Sequence, residues 1–352
     1  GGVRDYVVIG SIVLPVGRLS AVSVAVAFAA TAPVAGTAWL SVCLIVAVLA
    51  LLAVRRVLPA KDAQVTPKTV LRPLIRQIAS FSAPRTLSSG IEQALVWVDV
   101  LLVGLFAGPA AAGVYGVVSR LVQAGKIPST SVRIVVAPQF SRMLHEKRID
   151  ELSAFYTRTA QWIVLFSTPI YLTLIIFRRP ILEIFGRDFV AGAFALIIMC
   201  VGAMVAACTG NVQSMLLMSG RSGWTALNKV LVLALSLTLL ITLVPPLGVL
   251  GGAIAFTAVT SLDAVLAAIQ VRIGVKVRQG VGPILLALIT AGFAAAVPLL
   301  ISWAFVGETV TGLLVGVVAA AVVWFALIRG MRHQFGLDEV SHLARARQRG
   351  SQ

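Results

Sequence analysis

Long runs of apolar residues, separated by short polar connections, follow one another along almost all of the 352-residue chain. A helix needs ~20 predominantly apolar residues to cross the hydrocarbon core of a bilayer. By that rule the pattern predicts about ten transmembrane helices, near residues 7–30, 37–56, 82–106, 112–136, 158–178, 189–218, 225–245, 249–271, 282–305 and 309–329. We therefore predict an all-α polytopic membrane protein whose short connections make neighbouring helices antiparallel.

Composition agrees with this pattern. Hydrophobic residues make up 59% of the chain and charged residues only 12%, whereas soluble domains carry about 25% charged residues. The formal net charge of +16 comes mainly from the connections between the apolar runs. Because these charges are spread over loops and form no single patch, nucleic acid is not an expected partner.

Basic residues concentrate in every second connection. One set of connections carries most of them, in residues 55–76, 142–148, 221, 272–278 and the C-terminal tail, whereas the other set has Arg178, Arg179 and Arg187. Loops rich in Lys and Arg remain in the cytoplasm. The richer set is therefore predicted to be cytoplasmic, together with both ends of this chain.

Charged residues inside two consecutive apolar runs are the first candidate for a functional site. In the run 82–106, Arg85, Glu92 and Asp99 follow one another at intervals of seven residues, close to two helical turns, and so share one helix face. In the run 112–136, Lys126 and Arg133 are spaced in the same way. These charges are costly in lipid and are expected to face a protein interior or water.

Folding the two runs as an antiparallel hairpin about Gly108 aligns acids with bases. Asp99 and Arg120 are then nearly equidistant from the turn, and Glu92 and Lys126 form a second pair. Arg120 lies about 120° around its helix from Lys126. One interpretation is that the acids simply neutralise their partners inside the bundle. The other is a hydrated, net-positive cavity that binds an anion.

Three arginines favour the anion site. Arg85 and Arg133 have no acid at their own depth in the hairpin, and Arg18 lies within the first apolar run beside Pro15 and Gly17. Arginine binds phosphate through a planar fork, although Arg18 could also snorkel to the interface. The candidate substrate-binding residues are thus Arg18, Arg85, Lys126 and Arg133, and the candidates for ion coupling or ion pairing are Glu92, Asp99 and Arg120.

Enzymatic signatures are missing from the sequence. It contains no GxxxxGK[ST] phosphate loop and no HExxH motif, and its three cysteines have no paired spacing. We expect no catalytic residue, no metal and no cofactor. The chain is predicted to be a transporter and not an enzyme.

Three segments together resemble a known family. They are FSAPRTLSSGIEQALVWVDVLLVGLFAGPAAAGVYGVVSRL at 81–121, RPILEIFGRDFVAGAFAL at 179–196 and VPPLGVLGGAIAFT at 244–257. The first has Pro84, Asp99 and Tyr115 in the order found at the start of the second bundle of Wzx-type polysaccharide flippases. These belong to the multidrug/oligosaccharidyl-lipid/polysaccharide superfamily, and the resemblance covers most of residues 80–275.

The resemblance implies a fold of two six-helix bundles followed by two extra helices. Residues 1–58 would be the last two helices of the first bundle, 59–81 an amphipathic cytoplasmic linker and 82–273 the complete second bundle. Residues 274–330 would be the extra helices and 331–352 a basic cytoplasmic tail. The first four helices of the first bundle would then precede this chain.

The implied function is flipping of an undecaprenyl-diphosphate-linked oligosaccharide from the inner to the outer leaflet of the bacterial inner membrane, for cell-surface polysaccharide assembly. Its partners would be this lipid-linked glycan, membrane lipids and the assembly machinery. Two alternatives stay open. A cation-coupled multidrug antiporter would need an acidic, aromatic-lined cavity, and a non-transporting scaffold would bind the lipid precursor without turnover.

Overall fold

The computed structural model describes residues 14–28, 32–57, 90 and 97–331. The chain divides into two compact units, Gly1–Ile78 and Ala79–Gln352. The described residues are helical, with turns and short connections and without a β-strand. The predicted amphipathic linker at 59–81, together with Arg85, Glu92 and tail residues 332–352, lies outside the described residues.

The first unit contains two described helices, α1 (Leu14–Phe28) and α2 (Ala32–Val57), which pack against each other. Both are rich in Ala, Val and Leu. Small residues allow close approach where lipid offers no hydrophobic drive for helix association. A Cβ atom added at Gly17 would lie 3.1 Å from Cγ1 of Val42.

The second unit contains eleven described α-helices. In chain order they are α3 (Trp97–Ala107), α4 (Pro109–Ala124), α5 (Ile127–His145), α6 (Ile149–Ile176), α7 (Arg178–Glu183), α8 (Ala193–Cys208), α9 (Val212–Met218), α10 (Ser222–Leu247), α11 (Val249–Gln270), α12 (Val281–Val306) and α13 (Val310–Gly330). A 3₁₀ turn at Arg187–Gly192 precedes α8, and a π-helical turn at Val271–Val275 follows α11.

Six segments in the described part of the chain are long and apolar enough to cross a membrane. They are Ile149–Ile176, Arg187–Cys208, Gly223–Leu247, Val249–Val275, Val281–Val306 and Val310–Gly330. They fit the predicted runs from 158 onward, and the protein is a multi-pass helical membrane protein. The run 112–136 is not the continuous helix that we predicted, because it breaks between α4 and α5, and the run 189–218 breaks between α8 and α9.

The core of the second unit is an apolar cluster that joins α4, α6, α8 and α11. Its largest buried side chains include Tyr115, Tyr171, Phe177 and Met199. Tyr115 and Tyr171 carry hydroxyl groups at the edge of this cluster, where it borders the polar interior described below. The cluster thus sets the depth of the polar groups.

Polar side chains join α10 to α11 along their shared face. The amides of Asn228 and Gln270 donate to each other in both directions at 2.7 Å. The next residue of α10 is Lys229, whose ammonium lies 2.9 Å from a carboxylate oxygen of Asp263, seven residues before Gln270 on α11. We call these two contacts the α10–α11 clasp.

The pair α12 and α13 packs against α6 through small side chains. Ala160 of α6 and Ala287 and Ala291 of α12 are fully buried in one cluster. Trp324 of α13 donates from its indole nitrogen to the Leu165 carbonyl at 2.9 Å. The Gln161 amide of α6 also donates to the Pro283 carbonyl of α12 at 3.1 Å. The rest of this buried cluster is apolar, and we call it the dry interface.

Candidate functional site

A helix break places Lys126 inside the second unit. Helix α4 ends at Ala124, and α5 begins at Ile127 with Pro128 in its first turn, where a missing N–H is tolerated. A Cβ atom at Gly125 would overlap the ring of Tyr171, so only glycine allows this close approach. Lys126 therefore occupies the gap between two helical segments.

A second break lies beside the first. Helix α8 ends at Cys208 and α9 begins at Val212, with Gly210 at φ +62°. The Ser129 hydroxyl of α5 donates to the Asn211 side-chain oxygen at 3.1 Å, and the Tyr156 hydroxyl of α6 donates to the Thr209 carbonyl at 2.5 Å. Backbone groups freed by a helix break at membrane depth need such partners or a water-lined cavity.

Four ionisable side chains line a cavity of about 320 Å³ next to the first break. They are Asp99, Lys126, Lys229 and Asp263. Lys229 and Asp263 form the ion pair of the α10–α11 clasp, with side chains 9% and 18% exposed. Because buried ions are stable mainly when paired, this contact fixes the relative position of the two helices at this depth.

The other two ionisable groups are held differently. Asp99 accepts hydrogen bonds from the Tyr115 hydroxyl at 3.2 Å and from the Ser236 hydroxyl at 3.4 Å. The Lys126 ammonium lies 5.2 Å from the centre of the Phe256 ring, within the range of a cation–π contact. Lys126 is also close enough to Asp99 and Asp263 for their charges to act on it.

A second cavity of about 240 Å³ adjoins the first, and Lys126, Thr260 and Asp263 line both. Several buried polar atoms here have no hydrogen-bond partner among the described residues: Ser167 Oγ, both amide atoms of Gln213 and Asp263 Oδ1. An unsatisfied buried group costs about 1–3 kcal/mol. These atoms are therefore suited to contact water or a polar ligand.

The charges that line these two cavities balance. Two lysines and two aspartates line the first cavity, and the second adds no further ionisable residue. The net-positive cavity expected from the sequence is therefore not formed by the described lining residues. The clasp adds one positive and one negative charge and so leaves this balance unchanged. The expectation rested on Arg18, Arg85 and Arg133: Arg133 lines neither cavity, Arg18 belongs to the first unit and Arg85 lies outside the described residues.

The expected pair of Asp99 with Arg120 is not formed. Arg120 is exposed on α4, where its guanidinium stacks 4.5 Å from the centre of the Trp97 ring and donates to the Gln123 side-chain oxygen at 3.2 Å. Arg120 is not among the residues that line the cavity. Equal distance from a turn therefore did not ensure that the two side chains meet.

The remaining predicted site residues lie elsewhere. Arg133 is exposed on α5 and is not among the residues that line the two cavities. Arg18 belongs to the first unit, where its guanidinium stacks 4.5 Å from the centre of the Trp39 ring and lies 3.1 Å from Cys43 Sγ. Arg85 and Glu92 lie outside the described residues. Of the five predicted residues that the structure describes, Lys126 and Asp99 line the cavities.

Sequence reasoning missed Lys229 and Asp263. Neither residue lies in the two apolar runs from which the candidate site was predicted. A signal was present, because Asp263 is the only acidic residue between Asp188 and Glu308. An isolated acid in the middle of an apolar run calls for a basic partner on a neighbouring helix.

The chain is similar to known proteins in sequence and in fold. The model of a family described as "Polysaccharide biosynthesis protein" matches residues 16–193, half of the chain. Among solved structures, the chain is similar to the lipid II flippase MurJ in its inward closed conformation, with a TM-score of 0.68 and 14% sequence identity. The match covers 91% of this chain and 67% of that one. No curated protein matches by sequence.

The structural match shows a shared fold, and its title describes a transporter and not an enzyme. The family match runs from α1 to the start of α8, and so includes residues 81–121, the first of the three segments that resemble Wzx-type flippases. We conclude that this chain belongs to the polysaccharide biosynthesis protein family.

Proposed function

We propose that the protein flips an undecaprenyl-diphosphate-linked oligosaccharide from the inner to the outer leaflet of the bacterial inner membrane. The observation that carries the proposal is the position of Lys126, at a break between two helices and beside two polar cavities. Broken helices that line polar cavities are a common way for transporters to bind charged substrates near the bilayer midplane. Family and fold are consistent with this activity.

The physical task fits the groups available. A diphosphate and its sugars cannot cross hydrocarbon without polar contacts, whereas the lipid tail can remain in the bilayer. Hydroxyl and amide groups of Ser167, Thr260 and Gln213 offer both donors and acceptors, as sugar hydroxyl groups require. Lys126 would contact the diphosphate, and rocking of two bundles would expose the path to each side in turn.

The sequence predicts more positive than negative charge along the substrate path, and we assign the excess to residues that do not line the two cavities. We propose that Arg85 and Arg133 bind the diphosphate at the cytoplasmic mouth, before it reaches Lys126, and that Arg18 is a further substrate-binding residue within the first unit. Residues 1–58 would belong to the first bundle, 82–273 would form the second, 274–330 would add two helices, and the linker and tail would face the cytoplasm. Asp263 would keep the lysines neutralised until substrate enters.

The test is export of a fluorescent lipid-linked glycan in vesicles that contain the full-length protein. Lys126→Gln should lower the initial rate by about tenfold or more, because a charge-assisted contact contributes ~1.5–3 kcal/mol. The matched control is Lys147→Gln, which removes an exposed lysine in the turn between α5 and α6 and should retain the wild-type rate.

Three outcomes would contradict the proposal. Equal rates for Lys126→Gln and wild type would remove Lys126 from the substrate path. Binding without flipping by wild-type protein would indicate the scaffold. Saturable uptake of a cationic dye, unaffected by the glycan, would indicate the multidrug antiporter.

A further inference from the structure

A third cavity lies at the end of the second unit where four of the candidate spans begin or end. Its volume is about 430 Å³, and its lining includes Tyr156, Arg272, Arg278 and Gln279. Arg272 lies in the π-helical turn that ends the span Val249–Val275. Arg278 lies just before the span that starts at Val281. The cavity is therefore at the depth of the membrane surface. It shares Thr209 with the second cavity and no lining residue with the first.

The two arginines of this cavity are not neutralised. Both are exposed, and neither has an acidic partner within 4.0 Å among the described residues. No acidic residue lines the cavity. Paired guanidinium groups without a carboxylate are suited to bind a phosphate oxygen anion, which they contact through parallel N–H donors.

The opposite wall of the cavity is apolar and open to the bilayer. Val265, Ile269 and Val281 line it and are 44%, 48% and 68% exposed. These side chains belong to transmembrane segments, so their exposed surface faces acyl chains. The cavity thus combines a cationic rim with an apolar wall, which matches the division of a phospholipid into headgroup and acyl chains.

Neighbouring residues hold the rim in place. The backbone N–H of Arg278 donates to the Ser153 hydroxyl at 3.2 Å, and the Gln279 amide donates to the Cys208 carbonyl at 2.8 Å. At the same end, the Arg221 guanidinium stacks 4.8 Å from the Trp224 ring and packs against Gly274. Tryptophan and arginine are typical of the headgroup layer, which independently supports this depth.

We propose that the cavity bounded by Arg272 and Arg278 binds the phosphate of an anionic membrane phospholipid, with the acyl chains lying along Val265, Ile269 and Val281. Basic pockets between transmembrane helices at a membrane surface bind anionic lipid headgroups in this way. Arg272 and Arg278 line neither of the two cavities around Lys126, and the proposal holds whether or not the protein moves a glycan. A bound lipid would connect the ends of α6, α11 and α12.

The experiment uses the full-length protein in nanodiscs of phosphatidylcholine, with and without phosphatidylglycerol. The readouts are the thermal midpoint and the number of phosphatidylglycerol molecules retained in native mass spectrometry. Phosphatidylglycerol should raise the midpoint of wild type and of the control Arg329→Gln, which removes an exposed arginine at the end of α13. The double variant Arg272→Gln/Arg278→Gln should bind about tenfold or more weakly.

A second variant distinguishes loss of lipid binding from misfolding of the double variant. Ala268→Phe keeps both arginines but fills the cavity from its apolar side, and it should also abolish the phosphatidylglycerol effect. Inorganic phosphate, added to discs of phosphatidylcholine alone, should not shift the midpoint. Undiminished phosphatidylglycerol binding by both variants would overturn the proposal, and an equal shift from inorganic phosphate would overturn its assignment to a lipid.

Discussion

Two interfaces of the second unit lie at comparable depth and are built in opposite ways. Around the breaks after α4 and α8, ion pairs, hydroxyl groups and amides line two cavities. Between α6, α12 and α13, fully buried alanines pack directly against each other. The first interface contains buried polar atoms without a partner among the described residues, such as those of Gln213, whereas Trp324 in the second has its partner.

The difference shows what each interface requires. Helices in lipid gain little hydrophobic free energy from association, so a permanent contact depends on close packing of small residues. A region that exchanges partners during transport needs polar groups that are not all used within the protein. We therefore expect the stability of the polar interface to depend mainly on its charged side chains. The stability of the dry interface should depend mainly on the size and fit of its side chains.

The largest expected effect comes from breaking the ion pair of the α10–α11 clasp on one side. Lys229→Met leaves the buried Asp263 carboxylate without its ammonium partner. Removal of one member of a buried pair typically destabilises a protein by about 3–5 kcal/mol. The free energy of unfolding in detergent micelles should fall accordingly.

The control for this change is the double variant Lys229→Met/Asp263→Leu. It removes both charges and keeps similar volume, so most of the lost stability should return. If the double variant is as unstable as the single one, the pair does not act as a unit, and the contrast between the two interfaces would lose its main support.

The next effect concerns the shape of the break. Gly125→Ala should destabilise by about 1–3 kcal/mol, because the new methyl group would overlap the Tyr171 ring. Gly116→Ala on the same helix meets nothing within 4 Å and should be neutral or slightly stabilising. The midpoint of thermal unfolding should be lower for Gly125→Ala than for Gly116→Ala. The double variant Gly125→Ala/Tyr171→Leu removes the overlapping ring and should regain stability. Equal midpoints for the two alanine variants would argue against a sterically fixed break.

A smaller effect is expected at the dry interface. Trp324→Phe removes the hydrogen bond to the Leu165 carbonyl but keeps an aromatic ring beside Phe166. The loss should be about 0.5–1.5 kcal/mol. Trp303→Phe, on an exposed part of α12, is the matched control and should leave the midpoint unchanged. If both variants lose stability equally, the indole hydrogen bond is not the cause.

The smallest effect lies outside the membrane, in the turn between α5 and α6. Hydrogen bonds from Arg142 and Arg148 lower the pKa of Glu146 below its ordinary value of 4.5. A lowered carboxyl pKa contributes stability above about pH 4.5, and this contribution is lost as the pH falls through the pKa of the folded state. Glu146→Gln should slightly reduce the loss of stability below about pH 4.5. An unchanged curve would show that the contacts of Glu146 with Arg142 and Arg148 contribute no measurable stability.

Hydrophobic periodicity predicted the helical class and the positions of the later spans, because apolar run length alone determines them. It did not predict the breaks at Gly125 and Gly210, since these depend on contacts with Tyr171 and Ala160 on another helix. Spacing singled out Lys126 and Asp99, and both line the first cavity. The spacing argument paired Asp99 with Arg120, whereas the Asp99 carboxylate accepts hydrogen bonds from Tyr115 and Ser236. These two residues lie on other helices, and distance along the sequence does not show which side chains of neighbouring helices meet.

The paired amides of the α10–α11 clasp have a mechanical consequence. Asn228 and Gln270 satisfy each other in both directions, so neither amide depends on a third helix. A helical hairpin that carries its own polar contacts can shift past its neighbours without exposing those groups to hydrocarbon. If the unit changes conformation during a transport cycle, α10 and α11 should therefore move together as one rigid body.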